Sequence, residues 1–418
     1  MSFELVIEGN LWLGKEQGII KACVGIDEGK IIEIKKVLRG ERNLDFGAKL
    51  ILPSGIDIHV HFREPGLEYK EDFFTGSLSA CFGGVSYIAD MPNTIPKVDS
   101  VERFEDKLRI VKSKSCVDFG LYANGLSKEL KELDKLTSGF KIYLPEIDFS
   151  DCKKALKLVE KENISKPLLV HAEDKDFIKQ KVAKNLDEYL RLREKAEAEA
   201  LKKLSNIAKT HIHICHVSAK ESLQYLENKK LSCEITLHHL LLNLKSKLKM
   251  EGLGKVVPPL RTKEDNDALW EALNSNKIDI IASDHAPHTL EEKKDFSDAL
   301  PGIPGVETTY PLLLYLVKEE KISLARAIEA FCEKPAEILK LKKGRIAKGY
   351  DADLIVADLK EVVKIKSTKL HSKCQWSPFE DFSAIFPSWV FIRGSAVIEK
   401  SEFVGEKGYG KFIKNFEK

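Results

Sequence analysis

Little in this sequence favours a polymeric or membrane partner. Lysine and arginine number 67 against 65 aspartates and glutamates, leaving a formal net charge of +2. Without a surplus of one sign there is no electrostatic argument for nucleic acid or for an anionic bilayer. No apolar run reaches transmembrane length. The first residues, MSFELVIEGN, carry acidic side chains and no basic stretch, so a secretory signal peptide is not expected. The 8 cysteines form no CxxC pair and keep no regular spacing. Cys81, Cys215 and Cys233 lie in apolar stretches as buried thiols, and a reducing cytoplasm is the expected location. Methionines number only 3 while 32% of residues are charged, a composition that leans toward heat adaptation. No internal repeat or low-complexity segment is visible, and EKAEAEALKK reads as a charged helix with a solvated face.

What is present is a chain of 418 residues with 43% hydrophobic content. That suits a large barrel with a smaller domain better than one small core. Residues 1–52 hold short strand-like runs, FELVIEG, IIKACVGID and GKIIEIKKV. GRIAKGYDADLIVADL and SAVIEK, near the other end, have the same character. The expectation is one small β-sandwich domain composed of residues 1–52 and 345–418, flanking a barrel over 53–344. In that middle, eight apolar runs read as strands: GIDIHVHF, VSYIADM, VDFGLYA, GFKIYL, PLLVHAE, HIHICHVS, SCEITLHH and IDIIASDHAPH. Helical patterns such as RFEDKLRIVKS, CKKALKLVEKE, AKESLQYLENKK and NDALWEALNSN lie between them. Eight β-then-α units make an α/β fold of the (β/α)8 TIM-barrel type. A doubly wound open sheet is the alternative, but the first βα turn has no GxGxxG fingerprint.

In a parallel barrel the chemistry sits at the C-terminal strand ends. There the sequence places His59 and His61 on strand one, Lys141 on strand four, His171 on strand five, His216 on strand six and Asp284 on strand eight. Residues two apart on a strand point the same way, so His59 and His61 share a face. Nitrogen and oxygen donors of this kind suit zinc, manganese, cobalt or nickel. A lysine buried among them needs a partner or a lowered pKa. Lys141 can meet that need as a carbamate, formed from its amine and carbon dioxide and able to bridge two metals, or as a neutral base. His211, His213, His238 and His285 are read as hydrogen-bonded structural residues.

DIHVHFREPG, DMPNT, GFKIYL, HAED, ICHVSAKES and SDHAPH occur in this order and on these strands. Together they resemble the dihydroorotases of the amidohydrolase superfamily, over most of the chain. The H-x-H and S-D-H motifs carry only the superfamily; HFREPG followed by MPNT is more specific. The resemblance implies two divalent metals, with zinc expected: His59 and His61 bind one, His171 and His216 the other. Carboxylated Lys141 bridges both, and Asp284 completes the first site. It implies Arg63, Asn93 and His288 as contacts to a substrate carboxylate, and Pro301 and Gly302, within LPGIPGVET, as part of a loop that closes on substrate through backbone groups. A planar guanidinium is well matched to a carboxylate.

The implied reaction is the reversible cyclisation of N-carbamoyl-L-aspartate to (S)-dihydroorotate in pyrimidine synthesis. A metal-bridged hydroxide attacks the ring amide, and Asp284 carries the proton to the departing nitrogen. The sequence departs from the family in two places. Val257 stands where many relatives have asparagine before PPLR, removing a polar contact to the ring. Leu237 replaces proline in the TPHHL motif. An allantoinase or hydantoinase is the rival reading, although allantoin has no carboxylate for Arg63. A non-catalytic scaffold is another, and the resemblance extends to aspartate transcarbamoylase or further copies of the chain as partners.

Overall fold

Alternating apolar and polar residues turn the first fifty positions into four strands: β1 (Phe3–Trp12), β2 (Ile19–Asp27), β3 (Lys30–Lys35) and β4 (Gly40–Pro53). The structure, a computed structural model, describes residues 2–413. Each apolar run expected in the middle is then a strand: β5 (Gly55–Val60), β6 (Val85–Asp90), β7 (Asp118–Asn124), β8 (Gly139–Tyr143), β9 (Leu168–His171), β10 (Ile212–Ile214), β11 (Leu231–Ile235) and β12 (Ile280–Ile281). They pair in sequence order and in parallel. Parallel neighbours need crossover connections, and the intervening helices supply them.

The barrel closes between its first and last strands by single contacts. Ser283 N–H donates to Asp57 Oδ1 at 3.1 Å. His61 N–H donates to His285 O at 2.8 Å, where Val60 and His285 form an isolated bridge.

Near the C-terminal end follow β13 (Leu354–Ala357), a short ribbon of β14 (Val363–Lys364) with β15 (Ser383–Ala384), and β16 (Trp389–Ile392), β17 (Ser395–Glu399) and β18 (Glu402–Phe403). Most of these join the N-terminal strands in one sheet of order β18-β17-β16-β13-β4-β1-β2-β3. The seam between the two ends is the antiparallel pair β4–β13, with Leu52 opposite Ile355. Of the terminal segments expected from the sequence, Met1 and residues 414–418 lie outside the described residues.

Charge ties this sheet to the base of the barrel. The Lys343 ammonium is fully buried between Asp118 of β7 at 2.7 Å, Asp351 at 2.9 Å and Asp353 at 2.7 Å. Arg393, in the β16–β17 turn, also pairs with Asp118. These three aspartates could hold a metal by spacing alone, but the lysine already occupies the space between them.

Two helical expectations are modified. AKESLQYLENKK forms only a short 3-10 segment, Lys220–Tyr225. The amides entering it are taken by side chains of neighbouring helices: Ser218 and Ala219 N–H by Glu197, and Lys220 N–H by Asp265. The chain then winds with i→i+3 bonds. EKAEAEALKK is a helix (Ala196–Ile207), but it is not solvated all round, because Glu197 is 2% exposed. The Glu197 carboxylate also accepts from Ser218 Oγ and lies 3.8 Å from Arg261. No helix among the described residues is long and apolar enough to cross a membrane, and the eight cysteines are free and buried.

Removing one partner of a buried charge pair costs about 3–5 kcal/mol. Glu197→Ala is therefore expected to lower unfolding free energy by about that much, read as a shift of the urea midpoint at constant slope. A loss below about 1 kcal/mol would show that water replaces the carboxylate.

Candidate active site

The strand ends converge on a cavity of about 370 Å³. His59, His61, Lys141, His171, His216 and Asp284 all line it, as do Arg63, Asn93, Pro301 and Gly302. His288 does not; it is buried behind Arg63. The four histidines read as structural, His211, His213, His238 and His285, also lie outside this lining. His211 and His213 bond to Ser232, and His285 Nδ1 accepts from Gly305 and Val306 N–H, whereas His238 departs from the expectation, its Nε2 being buried without a hydrogen-bond partner.

Three of the four imidazoles are oriented by a neighbour. His61 Nδ1–H donates to Asn93 Oδ1 at 2.7 Å, which turns Nε2 toward Asp284 Oδ1, 3.1 Å away. His59 Nδ1–H donates to Glu234, and its Nε2 lies 3.3 Å from the same Asp284 oxygen. His171 Nε2–H donates to Glu173 at 2.8 Å, and Arg193 grips that carboxylate with two nitrogens at 3.0 and 2.8 Å. Carboxylates behind imidazoles are the usual means of fixing tautomer and raising ligand basicity. Behind the first pair, Asp90 at the end of β6 accepts from Phe62 N–H at 2.6 Å and from Lys107 Nζ at 2.5 Å.

The electrostatics favour a cation. Burial and the Lys141 ammonium oppose charge on His59, yet Glu234 and Asp284 carry its pKa up to about 10. Burial opposes ionisation of Asp284, but His59, His61 and His216 hold it well below the ordinary carboxylate range. Burial brings His171 down to about 4 against the pull of Glu173. His216 Nδ1 is buried without a hydrogen-bond partner, a donor atom left for something other than protein. Ligand atoms of His59, His216 and Asp284 lie within 4.8 Å of one another. The donor set thus fits a divalent metal. A second such group, His59, Cys215 and Glu234, shares His59. Lys141 Nζ donates to Cys215 Sγ at 2.9 Å and lies 3.4 Å from His59 Nε2. No carboxylate among the described residues pairs with it.

Three of these side chains sit on backbone that is unusual for non-glycine residues: Arg63 at φ 67°, His216 at 33° and Asp284 at 46°. Such conformations cost roughly 1–3 kcal/mol each and persist where surrounding structure enforces them.

The opposite wall is cationic. Arg63 Nε donates to Pro287 O at 3.1 Å, and its Nη2 lies 3.1 Å from His288 Nε2. Lys70 Nζ lies 3.2 Å from His288 Nδ1 and pairs with Glu292 at 2.8 Å, and Pro301 O lies 3.1 Å from His288 Nε2. Burial, with Arg63 and Lys70 beside it, brings His288 down to about 2, so its ring is neutral. Gly302 lines the cavity, but its N–H donates to Lys255 O at 3.0 Å rather than inward. Val257 presents an apolar side chain to the cavity, as its departure from the family pattern implies.

Sequence reasoning overlooked Glu234, Glu173 with Arg193, and the lining residues Asn124 and Tyr143. Glu234 had a signal equal to that of Lys141, a charge within the apolar strand SCEITLHH. Asn124 and Tyr143 end β7 and β8, Glu173 follows β9 within HAED, and Arg193 ends a helix (Leu186–Arg193); nothing in their residue type or spacing marks them as parts of the site.

A parallel barrel with imidazoles and a carboxylate gathered at its C-terminal mouth, donors that fit a divalent metal, is the arrangement of a hydrolase family. The chain belongs to the amidohydrolase family, whose model matches residues 50–398. It is 39% identical over 408 residues to a dihydroorotase of Methanothermobacter thermautotrophicus, covering 93% of each chain. It is 38% identical to a dihydroorotase of Thermoplasma acidophilum, covering 99% of each. Among solved structures, the L-hydantoinase (dihydropyrimidinase) of Arthrobacter aurescens superposes with a TM-score of 0.92 at 28% identity, over 99% of this chain and 100% of that one.

Outer partners of a metal-binding imidazole typically govern affinity by about 10–100-fold. Glu234→Gln keeps the shape beneath His59 and removes the charge. Its expected effect is a loss of metal affinity of about that size, measured by chelator competition; unchanged affinity would assign Glu234 to packing.

Proposed function

We propose that this chain interconverts (S)-dihydroorotate and N-carbamoyl-L-aspartate, the dihydroorotase reaction of pyrimidine synthesis. The observation that carries the reading is the two-sided cavity. A buried guanidinium, Arg63, with no carboxylate partner among the described residues, faces an imidazole–carboxylate cluster across one small space. An anionic cyclic amide fits both sides, and relatives named dihydroorotase match nearly the whole chain. The barrel of 53–344 carries the reaction, and the sheet formed by the described parts of the two terminal segments braces it. Eight free, buried thiols suit a reducing cytoplasm.

His59, His61 and Asp284 would hold one divalent cation and His171 and His216 a second, with Lys141 joining both as a carbamate. Zinc matches these donors. When bound, such cations supply Lewis acidity to the ring carbonyl and make water nucleophilic near neutral pH. Arg63, with Asn93, holds the substrate carboxylate and fixes the ring's orientation. His288 supports Arg63 from behind. Asp284, ionised because the imidazoles stabilise its charge, accepts a proton from the attacking water as the new C–O bond forms. The ring C–N bond then breaks, and Asp284 returns the proton to the departing nitrogen, which becomes the terminal ureido nitrogen. In the cyclising direction the same nitrogen attacks the side-chain carboxyl, and water leaves.

A second reading, a hydantoinase-type hydrolase of uncharged cyclic amides, draws on Val257 at the cavity wall and on the solved neighbour. Asp284→Asn keeps shape and loses the base, so kcat is expected to fall about 10²–10⁴-fold; near-normal turnover would contradict its role. Arg63→Met is expected to lower kcat/KM on dihydroorotate at least about tenfold, since a hydrogen bond to a charged group is worth about 1.5–3 kcal/mol. Inhibition by 5,6-dihydrouracil, the same ring without the carboxylate, should hardly change. Equal losses on both ligands would favour the second reading.

A further inference from the structure

The cationic wall is held from behind by a lysine that the chemistry above does not use. Lys293 is fully buried. Its Nζ donates to three carbonyls: Lys255 O and Leu300 O at 2.8 Å, and Gly302 O at 3.0 Å. Two of these flank Pro301, and Pro301 and Gly302 line the cavity. No carboxylate among the described residues pairs with this amine; burial, with Lys255 and Arg63 nearby, brings its pKa down to about 7, and the three carbonyls favour its protonated form. It lies 5.6 Å from the centre of the Trp376 ring. Trp376 Nε1–H donates to His288 O at 2.7 Å, and the His288 ring rests against Arg63. A single buried amine thus reaches Gly302 directly and His288 through one indole.

Packing alone does not call for this arrangement. An apolar side chain of similar volume would fill the space without the cost of desolvating a charge. An ammonium has three N–H groups, and all of them are spent on backbone that forms or adjoins the cavity wall. That wall has little freedom: a Cβ on Gly302, at φ 154°, would come 2.3 Å from Ala286 O and 3.0 Å from His288 Nε2.

We propose that Lys293 and Trp376 are positioning residues for the carboxylate subsite, holding Gly302 and His288, and through His288 the Arg63 guanidinium, in the arrangement a substrate carboxylate needs. The proposal rests on the carboxylated-substrate reading above. It brings Trp376, which follows the barrel in sequence, into the specificity of the barrel's own site.

The test is steady-state kinetics of metal-replete wild type, Lys293→Met and Trp376→Phe on dihydroorotate, with 5,6-dihydrouracil as competitive inhibitor. Lys293→Met is expected to raise KM for dihydroorotate at least about tenfold, as for loss of a charged hydrogen bond, with kcat and the inhibition constant each within about threefold. Trp376→Phe keeps an aromatic ring and removes one neutral hydrogen bond; it should raise KM about threefold with kcat and the inhibition constant unchanged. An unchanged KM, an equal weakening of both ligands, or a loss confined to kcat would overturn the proposal. If Lys293→Met does not fold, Trp376→Phe decides by the same criteria. Wild type inactive on dihydroorotate would refute the functional reading itself, whereas active wild type with unselective variants would refute only the positioning role.

Discussion

The closing seam of the barrel is the constraint on which the site depends. The eighth strand is two residues long and meets the first through an amide on Asp57, one isolated bridge and one backbone bond. His59 and His61 lie on one side of that seam and Asp284 on the other. The shared Asp284 oxygen, 3.3 and 3.1 Å from the two imidazoles, therefore exists only when the strands have come full circle. Closure and assembly of the site are one event. This also accounts for the positive φ at Asp284: the chain leaves a very short strand and must aim its side chain back across the seam.

The cavity is polarised. Glu234, Glu173 and Asp284 stand behind or among the imidazoles, while Arg63 lines the other wall, with Lys293 and the Lys70–Glu292 pair behind it. In a low-dielectric interior such charges act strongly and need no reorganisation when a ligand arrives. A molecule with a carboxylate at one end and a polarisable carbonyl at the other is oriented before any close contact is made. The arrangement is costly for the protein, because Arg63 and Lys293 are buried with no carboxylate partner among the described residues. That cost is the usual mark of a functional site.

Much of the fold was legible because its signals are periodic. Eight apolar runs separated by helical patterns could be counted, and each became a strand. The 3-10 segment at Lys220–Tyr225 was not legible, since its local pattern is helical and only carboxylates from other helices, Glu197 and Asp265, change its winding. The same blindness made Glu197 look like surface. In the site, residues at strand ends were readable from position: the six proposed ligands do line one cavity. Glu234 was hidden in an otherwise ordinary strand, and Lys293 and Trp376 in segments with no motif. His288, by contrast, stood in a recognisable motif, but whether it faces the cavity or backs Arg63 is decided by tertiary packing with Lys70 and Pro301.

The sheet joining both ends of the chain has a bearing on synthesis. On the ribosome, β4 emerges with one edge paired to β1 and the other bare. Its partner β13 follows only after about 300 further residues, which is tens of seconds at ordinary elongation rates. Throughout that interval an unpaired edge with apolar Ile51 and Leu52 is open to other chains. The charged and polar residues along the first half of β4, GERNLD, reduce that hazard. A nascent chain that stalls within the barrel would carry this open edge indefinitely, so quality control for this protein has its clearest handle in the first fifty residues rather than in the catalytic barrel.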